Sequence, residues 1–86
     1  MAIYVLLKNG ELSRYMLEKS KRPLYVKEDV KMIGNDNYHY HHIFTLYREG
    51  IEVLQKEFDS YCGQDRGPRR ENIIRKMLQY NGVFPE

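Results

Sequence analysis

Seven apolar positions, Tyr40, Phe44, Tyr47, Ile51, Leu54, Phe58 and Tyr61, recur at spacings of 4, 3, 4, 3, 4 and 3. This alternation keeps every member on one side of an α-helix, whereas a β-strand scatters them over both faces. The pattern predicts a long amphipathic helix within 36–63. Asp36 or Asn37 would be its N-cap and Gly63 its left-handed terminator. Glu52 and Lys56 add an i,i+4 pair in the favourable order. Gly50 sits inside and costs about 1 kcal/mol relative to Ala. It leaves a second reading open, a strand over 43–48 followed by a shorter helix. The stripe crosses Gly50 in phase, which favours continuity.

The first third has a different period. Ile3, Val5 and Leu7 alternate with Tyr4, Leu6 and Lys8, which favours a strand. Asn9-Gly10 follows, a strong hairpin signal because both residues tolerate positive φ. The return strand falls within 11–18. Helical spacing of Leu12, Tyr15, Met16 and Lys19 competes with it. Pro23 bars a helix through the basic turn that precedes it and pushes Arg22 toward an extended conformation. Leu24 to Lys27 reads as a third strand, 28–33 is ambiguous, and 34–37 is a break.

Near the end, Pro68 suits the first position of another helix. Ile73, Ile74, Met77 and Leu78 form its apolar face, and Asn81-Gly82 closes it. The predicted fold class is α+β: a small N-terminal β-hairpin or three-stranded sheet (1–33) packed on the long helix (36–63) and a shorter C-terminal helix (68–81). Eighty-six residues make one domain with a thin core.

Composition narrows the class further. Eight of the eleven aromatics are Tyr, at home on the margin of a small core and at interfaces. Cys62 is the only cysteine, so an intramolecular disulfide is impossible. No apolar run approaches the roughly 20 residues that span a bilayer, and Met1 to Lys8 lacks the features of a signal peptide. The expected location is the cytoplasm. Net charge is only +2, but it is polarised: +3 over 1–31, −3 over 32–62 and +2 over 63–86.

Three constellations carry candidate chemistry. All the histidines lie in Tyr38-His39-Tyr40-His41-His42. On a helix His39 and His42 share a face, on a strand His39 and His41 do. Two imidazoles are half of a tetrahedral zinc site, and no His-Glu-x-x-His motif accompanies them. Arg69, Asn72, Lys76 and Gln79 make one polar helical stripe, with Arg70 and a solvent-facing Arg75 beside it. Arg and Asn are the side chains that read guanine and adenine edges, although Glu71 and the acidic middle third oppose phosphate. Lys19, Lys21 and Arg22 form a basic loop.

Nucleophilic catalysis has little support. Ser13, Ser20 and Ser60 lack a glycine elbow, Cys62 would sit near a helix C-terminus where the dipole raises a thiol pKa, and Gly63 to Gly67 lacks the residues of a phosphate loop. No cofactor motif is present. The leading expectation is a non-enzymatic binding protein that regulates or inhibits a larger protein partner through a helical aromatic surface of Tyr40, Phe44, Tyr47, Phe58 and Tyr61. The same seam also suits a second copy of the chain, as a homodimer. The alternatives are a nucleic-acid-binding regulator using Arg69, Arg70, Asn72, Arg75, Lys76 and Gln79, and a metal-binding protein using His39 and His42.

Overall fold

The first turn is where local sequence and structure agree most closely. In the computed structural model, which describes residues 2–16, 20–33, 39–61 and 66–84, strands β1 (Ala2–Leu6) and β2 (Leu12–Tyr15) form the expected hairpin. Gly10 takes a φ of 88°, open to glycine and costly for other residues. The Asn9 side chain accepts a hydrogen bond from the Glu11 N–H at 3.0 Å, closing the turn locally.

The middle third departs from the predicted helix. It folds as two antiparallel strands, β4 (His39–Arg48) and β5 (Ile51–Tyr61), and the third strand, β3, extends through the ambiguous segment to cover Leu24–Ile33. The five strands make one antiparallel sheet in the order β2-β1-β3-β4-β5. The α+β arrangement of a small sheet on two helices is therefore corrected to a five-stranded sheet carrying one described helix, α1 (Arg66–Leu78). The strand reading of 43–48 was right in kind, but a strand follows it where a shorter helix was expected.

Gly50 decides the matter. Glu49 and Gly50 both have positive φ, 54° and 79°, and Arg48 pairs directly with Ile51. This is a two-residue hairpin loop, whose tightest form needs positive φ at both positions. A glycine read as a tolerated helix interior is the turn itself. Tyr40, Ile43, Phe44, Thr45 and Tyr47 are residues that fit a pleated surface, and β4 receives a strand on each side.

The pairing also explains why the stripe misled. Tyr40 and Phe44 lie on one face of β4 and Tyr47 on the other. Leu46 pairs with Leu54 but Tyr47 pairs with Glu52, a register shift that leaves Val53 as an extra residue. Such a bulge lets Ile51 and Leu54, three apart, both oppose residues of the same β4 face. A period near 3.5 arose from two strands, a turn and a bulge.

Helix α1 keeps the expected apolar face but begins earlier, at Arg66, so Pro68 is not its first residue. It covers Arg66–Leu78, and Ile74, Met77 and Leu78 are buried against Ala2, Tyr4, Val26, Phe44, Leu46 and Phe58, with Ile73 packed beside them. Its expected end at residue 81 moves to Leu78, after which Gln79 and Tyr80 donate to the Lys76 and Met77 carbonyls as the last turn tightens. On the opposite face Ile3, Val5 and Tyr25 form a smaller cluster with Leu7 and Tyr47, and the Tyr25 and Tyr47 rings stack at 5.0 Å. The proposed caps Asp36, Asn37 and Gly63, and Cys62, lie outside the described residues. Among the described residues no helix is long and apolar enough to cross a membrane.

The sheet is stepped. The pairing of β1 with β3 ends at Ala2 opposite Glu28. Asp29 to Ile33 continue alongside β4, and no described strand pairs with their other side.

Candidate functional site

Strand alternation sends neighbouring histidines to opposite faces of the sheet. His42 points under α1; it pairs with Val30 on β3 and Phe58 on β5, and its ring reaches diagonally to Glu28 and Ser60, each two residues along on the same face. Glu28, His42 and Ser60 are 2 %, 1 % and 4 % exposed. Their polar atoms form one chain. The Tyr4 hydroxyl donates to Glu28 Oε1 at 2.9 Å. His42 Nδ1 lies 2.8 Å from Glu28 Oε2, and His42 Nε2 lies 2.7 Å from Ser60 Oγ. An ionised carboxylate only accepts, so Nδ1 carries the proton facing Glu28, and in the neutral ring Nε2 accepts from Ser60. Every member of the chain has a partner, as burial demands. The His42 ring is also packed against Phe44 and Phe58, at 6.0 and 5.4 Å. Burial, and then the Glu28 carboxylate, raise the Tyr4 phenol above its ordinary pKa.

Serine, histidine and carboxylate in this order is the constellation that activates a nucleophile. Sequence reasoning passed over it because the three residues come from three strands and none has a motif around it. The signal that was available is the alternation Val26-x-Glu28 and His42-x-Phe44, which places a polar residue at an inward position. Ser60 is sealed, and it lines neither of the two grooves described below. The relay links β1, β3, β4 and β5, and Arg70 of α1 lies 3.7 Å from Glu28 Oε2.

His41 and His39 occupy the open face. His41 Nδ1 is bonded to Asp59 and its Nε2 lies 3.2 Å from Glu57 Oε1, while His39 Nε2 is 3.9 Å from Asp59 Oδ2. The hydrogen bonds that His41 makes to Asp59 and then to Glu57 raise its pKa, and the bond to Asp59 lowers that of the carboxyl. His39 and His42 do not share a face as a helix would have required; the strand alternative, His39 with His41, is the arrangement present. Among the described residues no group of three or more potential ligands has metal-binding geometry.

The aromatic surface disperses with the helix that was to carry it. Phe44 and Phe58 are core, Tyr47 stacks on the other face, Tyr40 is half-buried opposite Met32 and Ser60, and Tyr61 closes β5 opposite His39. The basic helix is largely spoken for as well. The Arg69 guanidinium lies 5.0 Å above the Phe58 ring, and Arg70 lies 5.9 Å from that of Tyr4. Arg75, expected to face solvent, donates to Glu71 at 3.0 Å and to the Gly10 carbonyl at 2.8 Å, tying α1 to the first hairpin. Asn72 and Gln79 are exposed, and Lys76 is half-buried.

Exposed large apolar side chains occur at Leu6, Tyr15, Met16, Ile51, Val53 and Val83, and three more stand together at the step. Val30, Met32 and Ile33 are 50 %, 54 % and 38 % exposed, and they stand on the stretch of β3 that lacks a described neighbour. Beside them a groove of about 550 Å³ is lined by Ala2, Met16, Val30 and Ile43, with Arg14 and Lys31 among its charged residues. No family model, curated protein or solved structure matches this chain.

Proposed function

We propose that this chain is a non-enzymatic protein-binding module that takes an extended segment of a partner along the free side of β3 at Val30 to Ile33. The observation that carries the reading is the exposure of three large apolar side chains on a strand stretch with a described neighbour on one side only. An unpaired strand edge offers main-chain donors and acceptors to another chain, and alternate side chains then enter pockets on each face. Natural edges are normally blunted with charge. β5, the long outer edge, is blunted in this way by Glu52, Lys56, Glu57 and Asp59; the β3 overhang has Asp29 and Lys31 and ends on the apolar pair Met32 and Ile33.

The partner segment that suits this place is extended and apolar at alternate positions, with Val30 and Met32 on the α1 side of the sheet and Ile33 on the open side. The module acts by occupying that segment, which regulates or inhibits its owner, and the cytoplasm remains its expected location. Nucleic-acid contact through α1 is less favoured, because the Arg69 guanidinium lies over the Phe58 ring and Arg75 is bonded to Glu71 and the Gly10 carbonyl.

Selection from a random peptide-display library tests this reading. Peptides with alternating apolar residues should be enriched, and they should slow amide exchange at Lys31 to Ile33. Met32→Lys, at an exposed position, should abolish capture and leave the fold unchanged. Failure to enrich any peptide, or peptides that bind Met32→Lys equally well, would remove the proposal.

A further inference from the structure

A second groove, of about 650 Å³, lies between α1 and the first hairpin; it shares Tyr4 with the buried relay and Arg14 with the groove beside the β3 overhang. Its apolar wall is built from Leu12, Ile74 and the ring of Tyr4. The Tyr4 hydroxyl is turned away, donating to Glu28, so the ring presents carbon to the groove. Two arginines flank that ring. Arg14 is the cross-strand partner of Tyr4 in the β1–β2 pair, which puts its side chain on the same face. Arg70 approaches from α1.

The commitments of these cations differ from that of Arg75. Arg75 spends its donors on Glu71 and the Gly10 carbonyl, so that pair is internally neutral. Arg14 is exposed and makes no hydrogen bond or ion pair among the described residues. Arg70 has one carboxylate nearby, Glu28, but at 3.7 Å it lies outside hydrogen-bond distance. Glu28 already accepts from Tyr4 on one oxygen and from His42 on the other. A guanidinium has five N–H donors in a planar fork shaped for carboxylate or phosphate. Two such forks with unfilled donors therefore flank an apolar wall, and Glu11 is the remaining acidic residue lining the groove outside the Glu71–Arg75 pair.

We propose that this groove binds a small amphipathic organic anion, its apolar body against Leu12, Ile74 and the Tyr4 ring and its carboxylate or phosphate between Arg14 and Arg70. The free energy comes from charge-assisted hydrogen bonds formed in a partly desolvated place, which a neutral ligand of the same shape does not make.

NMR titration of the full chain with phenyl phosphate and with phenylacetate tests the assignment, with benzyl alcohol as the neutral control. Either anion should shift the Leu12 and Ile74 methyl resonances and the Arg14 and Arg70 side-chain N–H signals; which one binds more tightly names the head group. Benzyl alcohol should leave them in place. Arg14→Gln, at an exposed position on an edge strand, should keep the native spectrum and weaken binding about tenfold. Arg70→Lys keeps the charge and loses the fork, so it should weaken binding as well. The proposal is overturned if neither anion moves these signals, if benzyl alcohol moves them equally, or if Arg14→Gln binds as the natural chain does.

Discussion

His41 and His42 are neighbours in sequence and lie on opposite sides of the same strand. His42 is buried under α1 between Glu28 and Ser60. His41 is half-buried on the open face between Asp59 and Glu57. Each ring has both nitrogens partnered, yet the two arrangements do different work. The inner partners have no water to fall back on, so each hydrogen bond is one the fold must keep. The outer partners exchange with water at little cost, so they tune charge more than they hold structure. The contrast shows that partner count alone does not measure a side chain's importance. The alternative open to the group when its partner is removed decides it.

The sharpest way to break the comparison is to remove the inner ring. His42→Ala strips Glu28 and Ser60 of a partner in a dry site and opens a cavity beside Phe44 and Phe58. The expected loss is about 3–5 kcal/mol, read from chemical denaturation. A loss no larger than that of His41→Ala would show that the two faces are equivalent after all.

Tyr4→Phe is a milder intervention on the same side. It keeps the ring that packs on Ile74 and Met77 and deletes only the donor to Glu28. The expected cost is about 1.5–3 kcal/mol, the range for a hydrogen bond to a charged acceptor. If Tyr4→Phe combined with His42→Ala costs less than the two single losses added, the relay behaves as one unit.

The smallest effect is on the open face, and pH exposes it. The folded pKa of His41 is raised, so its stabilising contribution is fully present below the unfolded value of 6.5 and is lost as pH rises through the folded one. Asp59 is lowered, so its contribution is present above 3.8 and is lost as pH falls through its folded value. The pair therefore helps most between those limits. His41→Asn should flatten the melting temperature across that window and match the natural chain in alkaline solution. An imidazole titration for His41 at or below the ordinary midpoint would contradict the geometry described for it.

Legibility followed the distance over which each feature is decided. The first hairpin could be read because Asn9-Gly10 and the alternation of Ile3, Val5 and Leu7 act over a few residues. The apolar face of α1 was equally plain. The candidate sites were not, for different reasons. Glu28, His42 and Ser60 are brought together by the registers of β3 with β4 and β4 with β5, and no local pattern announces a register. The β3 overhang is a matter of register: β1 has five residues against the ten of β3, and its pairing with β3 stops at Glu28. The docking groove and the arginine groove are shapes left between elements, and Arg14 and Arg70 lie 56 positions apart in the chain.

The middle third marks the boundary most clearly. Its apolar residues satisfied a helical period and, through His42, Phe44 and Leu46, also an alternating one. Local preference alone did not separate the two. The partner strand did: ten residues of β3 pair with ten of β4, and the Glu49-Gly50 turn returns the chain along the other side. By itself the sequence determined the first hairpin turn, the apolar face of α1 and the shortage of catalytic motifs, because these depend on backbone sterics and side chains within a few residues. Tertiary structure decided which period prevailed, which polar residues were sealed and which edge stayed open, because hydrogen-bond pairing between distant strands fixes the face each side chain occupies.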